Sequence, residues 1–267
     1  MQLPKVFIII VNYNNVSDSI ACLGSLSSLN EDSYVLETIF VDNGSRPQVV
    51  KKIQDTFPKL NIIRSSKNLG FAGGNNLGIK QAMKNNADYI FLINNDTIVK
   101  DPQLINQLID KSVDITSPVV KYKQNEKTYY DYGGRVDWLF ARNTHIKSTQ
   151  LQPPQVKPDY LSGVSLFVRS EVFQKVGLLD DNYFLYYEDA DFCLRAKKQG
   201  FNLQSCHTTT IYHQLSSSAN KLGSKKLKIL AQSQWRFARK HLPKVSLPFA
   251  CLYYLYLRLK ARLNFSF

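Results

Sequence analysis

Apolar runs of strand length alternate with segments of helical periodicity through the first hundred residues. Residues 5–12 contain Val6-Phe-Ile-Ile-Ile-Val11, a continuous hydrophobic run of the kind buried on both faces of a sheet. Ile20, Leu23, Leu26 and Leu29 follow at helical spacing, with Ser17 or Asp18 as the expected cap. Thr38–Val41 predicts a second strand that ends at Asp42-Asn43-Gly44-Ser45. Pro47 then stands near the start of a helix, where its missing N–H costs nothing. Asn61–Arg64 predicts a third short strand, Gly70–Asn76 leads into a helix to about Asn85, and Ala87–Ile93 predicts a fourth strand.

Strands and helices in this alternation imply an α/β fold with a mostly parallel central sheet, whose ligands collect at the strand C-terminal ends. Polar residues fall at those ends: Asn12, Tyr13 and Asn14, then Asp42, then Asn68, then Asn94, Asn95 and Asp96. Turn chemistry also favours Asn and Asp at such places. Four successive strands ending this way point to a ligand cleft.

The second half is less regular. Tyr129–Trp138 and Tyr160–Val168 read as strands or loops over the cleft, Ser170–Gly177 as a short helix, and 207–213 as a strand leading to His213. Between them lies Phe184-Leu-Tyr-Tyr-Glu188-Asp189-Ala-Asp191-Phe-Cys-Leu-Arg195, which opens a helix running to Gly200. Three carboxylates within four residues repel one another unless a cation, a donor or a helix N-terminus balances them. A helix start often carries acids for the dipole alone, but Phe184, Tyr186, Tyr187 and Phe192 argue against a solvated face. An ionised carboxylate beside such a wall can take a proton from a hydroxyl nucleophile.

Asp96, at the end of a buried strand, suits Mg²⁺ or Mn²⁺, which take oxygen ligands from one or two carboxylates plus substrate phosphates. His213 is a candidate second ligand, although a lone His after a strand is more often structural. Gly70–Gly78 lacks the spacing of a dinucleotide-binding turn; its glycines let the backbone approach a ligand or a neighbouring strand. His145, His207 and His241 receive no functional assignment.

Composition narrows the class. A chain of 267 residues with 44% hydrophobic content, 10 Pro and 12 Gly is globular. Cys22, Cys193, Cys206 and Cys251 are scattered and fit buried thiols in a reducing compartment. The Val6–Val11 run is short and has no cleavage site, so a cytosolic protein is expected. The net charge of +13 is uneven: residues 192–267 hold 14 of the 34 Lys/Arg and no acid, leaving 20 against all 21 acids in the first 191. That neutral body counts against a nucleic-acid-binding protein. The tail also carries Pro248–Leu257, apolar and aromatic, followed by Arg258, Lys260 and Arg262. This run is shorter than the roughly 20 residues a bilayer span needs and suits an anionic membrane surface. A helix packed on the core with solvated lysines is the alternative.

The ordered set Ile9-Ile-Val-Asn-Tyr-Asn14, Val41-Asp-Asn-Gly-Ser45, Asn68–Asn76, Leu92-Ile-Asn-Asn-Asp-Thr97, Ser162-Gly163 with Arg169, Tyr187–Arg195 and Tyr212-His213 resembles family-2 glycosyltransferases of the GT-A fold, in particular their rhamnosyltransferase-like branch. The resemblance implies a GT-A domain over 1–220 and a basic, amphipathic helical extension over 221–267. It implies that Asp42, with Asn12, Tyr13, Asn14, Asn68, Asn94 and Asn95, lines the donor-nucleotide pocket, and that Asp96 and His213 hold a divalent cation. Asp189 would be the general base, with Glu188 and Gly163 placing acceptor or sugar. The donor would be a dTDP- or UDP-linked sugar and the acceptor lipid-linked or polysaccharide, met at the inner face of the cell membrane. Asn94 departs from the family pattern, where many relatives carry Asp. A binding protein that has lost catalysis is the remaining alternative.

Overall fold

The computed structural model describes residues 2–152, 157–215 and 224–263; the expected boundary at 220/221 lies outside them. Strand β1 (Lys5–Asn12) runs through the centre of the N-terminal half, between β2 (Val35–Asp42) and β4 (Tyr89–Asn94), with β3 (Asn61–Arg64) beyond β2. All four are parallel, and their register sets Asn12 opposite Asp42 and Val11 opposite Asn94. The polar strand ends therefore form one row.

Beyond β4 the sheet changes direction. β9 (Ser165–Arg169) pairs antiparallel with β4, then come β6 (Ile115–Gln124), β10 (Leu203–His213) and β5 (Thr97–Val99). β7 (Lys127–Asp137) and β8 (Arg142–Ser148) form a hairpin off β6.

Both faces of β1 are buried, as its unbroken apolar run requires. Val6, Ile8 and Ile10 pack with Cys22 and Leu23 of α1 (Val16–Ser25) and with Leu104 and Leu108 of α4 (Leu104–Asp110). Phe7 and Ile9 face a second core that includes Ile79 of α3 (Gly70–Lys84). Helix α2 (Pro47–Thr56) begins at its proline, as expected.

Two expectations need correction, and four elements were not anticipated. The cap of α1 is Asn15, so Ser17 and Asp18 lie in the first turn; Asp18 instead accepts a 2.6 Å hydrogen bond from the Asn15 carboxamide. The glycine-rich segment is the helix itself from Gly70 onward. A Cβ at Gly78 would come within 2.5 Å of Ile9 Cγ2, so the glycines allow α3 to lie directly on β1. Elements β5, α4, β6 and β8 have no counterpart in the sequence reading.

The C-terminal helices are α5 (Ser170–Val176), α6 (Glu188–Lys198), α7 (Ser224–His241) and α8 (Leu247–Arg262). Phe237, Ala238, Leu242 and Ala250 join the same core as Phe7 and Ile9. A buried charge cluster fastens α7 to α6: Asp191 lies 2.7 Å from each of Arg195, Lys240 and His241. Arg195 also donates to the carbonyls of Val176 and Leu178. Burial alone would raise the Asp191 carboxyl, but the bonds to His241, Lys240 and Arg195 outweigh it and hold it at about 2. The third acid of the cluster is thus structural.

Asp191→Asn should cost about 3 kcal/mol in urea unfolding, because it removes the buried counter-charge on which the partly buried Arg195 and the Lys240 ammonium converge. Asp191 is ionised more easily folded than unfolded. Its stabilisation is therefore full above the ordinary carboxylate range and fades as pH falls toward 2, and the variant should lack that acid limb.

Candidate active site

The end of β1 and the end of β4 meet in a buried polar hub. Asn12 is wholly buried; its Oδ1 accepts from the Asn15 amide, the Ser19 hydroxyl and the Asn95 carboxamide, while its own NH₂ reaches Ser45. Asn95 donates to Ser19 as well. Both side chains therefore shape the loops from behind. Tyr13 is half exposed, and Asn14 adopts φ 53° and accepts from the Arg46 amide. Among the described residues the half-buried Asn94 carboxamide makes no hydrogen bond.

Asp42 is also wholly buried, with one oxygen on the Ser45 amide and the other 3.2 Å from Arg64 Nε. Asn68 accepts from the Gly70 amide and from Asn43, and Asn43 in turn holds the Leu69 amide and Gly70 carbonyl. Asn43 has the same strand-end signature as its neighbours and is the organiser of this loop. Gly70 has φ +76° and abuts the Phe184 backbone, which bonds the Phe71 amide at 2.7 Å. The loop after β3 and the approach to α6 are thereby joined.

Asp96 and His213 stand far apart in the chain and come together here. His213 Nε2 lies 3.1 Å from Asp96 Oδ1, and the Gln214 amide donates to the Asp96 carbonyl. The pairing of β10 with β5, which sets His213 opposite Thr97, fixes the approach. One carboxylate and one imidazole suit Mn²⁺, which accepts a nitrogen ligand, better than the oxygen-preferring Mg²⁺, with remaining positions for phosphate oxygens. Among the described residues no group of three or more His, Cys, Asp or Glu forms a complete metal cage.

Asp189 occupies the first turn of α6. Its Oδ2 accepts from the Gly163 amide at 2.8 Å and its Oδ1 from the Ala190 amide at 2.8 Å. One residue along, the Val164 carbonyl accepts from the Asn94 amide at 2.9 Å. The segment 163–164 thus ties the helix bearing Asp189 to the strand end that carries Asp96. Burial lifts the Asp189 carboxyl above its usual range, and the two amides and nearby His145 offset only part of the rise. Glu188 is buried, and its Oε2 has no hydrogen-bond partner. Burial, followed by the charges of Asp189 and Asp191, pushes it well above the usual range.

Local strain positions these acids. Tyr186 and Tyr187 both have φ near +70°, an uncommon pair for aromatic residues. Tyr187 is held there by a 2.9 Å bond from its hydroxyl to the Ala141 carbonyl and by ring contact with Phe237. The sequence reading missed a further pair on the β7–β8 hairpin: His145 Nδ1 lies 2.6 Å from Asp131 Oδ2. Burial would lower His145, but the hydrogen bond and charge of Asp131, with the charge of Asp189, raise it. Its only sequence signal was an imidazole on a polar strand, too weak to single out.

The model of glycosyl transferase family 2 matches residues 7–177. The chain belongs to that family and is a glycosyltransferase with the GT-A fold and rhamnosyltransferase relatives. Rhamnosyltransferase WbbL of Escherichia coli (strain K12) is 27% identical over 223 residues, covering 78% of this chain and 81% of that protein. N-acetylglucosaminyl-diphospho-decaprenol L-rhamnosyltransferase of Mycobacterium tuberculosis (strain ATCC 25618 / H37Rv) is 24% identical over 207 residues, 67% of this chain and 66% of that one. In fold, the chain matches the crystal structure of GalNAc-T7 with UDP, GalNAc and Mn²⁺ at a TM-score of 0.66 and 13% identity, covering 98% of this chain and 57% of that chain.

Glu188→Gln should melt at a higher temperature than the parent at pH 8. A carboxyl with a raised folded pKa opposes folding once ionised, and that penalty vanishes below the unfolded value of about 4.3. The difference should therefore close near pH 4 in a pH series of thermal melts.

Proposed function

We propose that the chain is an inverting glycosyltransferase that moves a sugar, rhamnose by its relatives, from a dTDP- or UDP-linked donor to a hydroxyl of a lipid-linked or polysaccharide acceptor at a membrane surface. The observation that supports this is the backbone tie through residues 163 and 164, which links Asp189 to the strand end that leads into Asp96 and its partner His213. The diphospho-decaprenol in the mycobacterial relative's name supports the lipid-linked acceptor.

In this mechanism the exposed Tyr13, with Asn14 and Asn94, meets the donor nucleotide, while Asn12, Asp42, Asn68 and Asn95 hold the loops that shape its pocket. Asp96 and His213 would hold a divalent cation at the donor diphosphate. When bound, that cation supplies charge to offset what develops on the departing nucleoside diphosphate. Asp189 takes the proton of the acceptor hydroxyl. The freed oxygen attacks the anomeric carbon from the face opposite the diphosphate, the carbon–oxygen bond to the leaving group breaks, and configuration inverts. A carboxyl that burial lifts above its usual range is, in its ionised form, a stronger base than an exposed one. Glu188, buried with an unsatisfied oxygen, and the half-exposed His145 held by Asp131 line the acceptor side. Gly163 positions the base through its amide.

Two measurements check these roles. Asp189→Asn should keep the donor-induced rise in melting temperature, while turnover falls at least ~100-fold, the usual size of general-base effects; near-parental turnover would remove Asp189 from the role. In a panel of dTDP-, UDP- and GDP-sugars with and without Mn²⁺, His213→Ala should lose the Mn²⁺-dependent part of the shift. Equal shifts in parent and variant would place the metal elsewhere.

A further inference from the structure

The turn between β7 and β8 exposes three large apolar side chains in succession: Trp138 (43%), Leu139 (41%) and Phe140 (36%). A turn ordinarily carries polar residues, and this one is not loose. Asp137 Oδ1 accepts from the amides of Leu139 and Phe140, and Gln234 of α7 donates to both the Phe140 and Ala250 carbonyls. The Phe140 ring meets Phe249 edge-on at 6.2 Å, which joins the turn to α8. Along α8 the exposed apolar residues are Phe249, Leu252, Leu255, Tyr256 and Leu259, three and four apart on one face and continued by Leu263 at the C-cap, while Ala250, Leu257 and Ala261 on the opposite face are buried.

The surrounding charge has one sign. Residues 137–147 and 242–263 include Arg142, Lys147, Lys244, Arg258, Lys260 and Arg262, and their only acid is Asp137, committed to the turn. Among the described residues no helix is long and apolar enough to cross a membrane. An apolar stripe flanked by cations on a non-spanning helix fits the headgroup–acyl boundary of an anionic bilayer.

We infer that the Trp138–Leu139–Phe140 turn and the outer face of α8 form one membrane-docking surface, with the turn inserting beside the entrance to the active site. The link to that entrance is direct. The Ala141 carbonyl, at the end of the turn, takes the Tyr187 hydroxyl, and Tyr187 immediately precedes Glu188 and Asp189. An acceptor anchored in the bilayer would then rise at the acid-bearing end of α6. The inference rests on the proposed function only for the nature of that acceptor; docking itself is measured without any sugar transfer.

The test uses Trp235→Phe, which leaves Trp138 as the sole tryptophan; Trp235 is packed on Tyr254 between α7 and α8, and a Phe keeps that ring contact. With vesicles containing roughly one-third phosphatidylglycerol, Trp138 emission should shift to the blue and be quenched by bromine-labelled acyl chains. Neutral phosphatidylcholine vesicles should give a much smaller effect. A Leu139→Glu/Phe140→Ser variant, confirmed folded by its melt, should bind the anionic vesicles about tenfold more weakly. Unchanged Trp138 emission while the protein co-sediments with vesicles would overturn the role of the turn. Absence of vesicle binding would overturn the surface as a whole, as would concentration-dependent dimerisation that buries Trp138 without lipid.

Discussion

The hydrogen bond from the Gly163 amide to Asp189 is the constraint around which the site is arranged. A carboxylate removed from water needs donors or it takes up a proton. Here two backbone amides supply part of that need, while burial still lifts the carboxyl above its usual range. That lift is the basicity that the proposed reaction draws on. Because Gly163 is followed by Val164, whose carbonyl is paired to the end of β4, the same short segment fixes Asp189 relative to the strand end that carries Asp96.

Rigidity around this bond comes from three directions. From the start of α3, Gly70 and Phe71 hold the Phe184 backbone. From the C-terminal side, Asp191 draws Arg195, Lys240 and His241 into one buried cluster that clamps α7 on α6. From the hairpin, Ala141 and Phe237 lock Tyr187 in a left-handed conformation that costs about 1–3 kcal/mol. Strain of this size persists only where the surroundings over-determine it, and here helix, hairpin and core all do so. The basic C-terminal segment is therefore part of the active-site scaffold on one face and an exposed apolar surface on the other.

The parallel half of the fold was legible because its physics is local. Unbroken apolar runs, Pro47 at a helix start and Asn or Asp at strand ends each carry their meaning within a few residues. The antiparallel half was not. Strand β8, Arg142–Ser148, is mostly polar, and its place depends on pairing with β7 rather than on its own pattern. In the candidate site, the strand-end signal singled out Asp96 and the acid cluster singled out Asp189, but neither signal separates a ligand-facing side chain from a structural one. Asn12 and Asn95 share the signature of ligand-facing amides yet point into the loops, and Asp191 shares that of its neighbours yet is a structural counter-ion. Asn43 and the Asp131–His145 pair act through partners more than ten residues away, which spacing does not reveal.

The most direct test of the whole account is a crystal structure of the chain with a nucleoside diphosphate and Mn²⁺. The metal should contact both the Asp96 carboxylate and the His213 imidazole at roughly 2 Å. The Asp189 carboxylate should open onto the same cavity as the terminal phosphate. A metal bound elsewhere with the Asp96–His213 pair still closed, or a diphosphate screened from Asp189 by intervening protein, would contradict it.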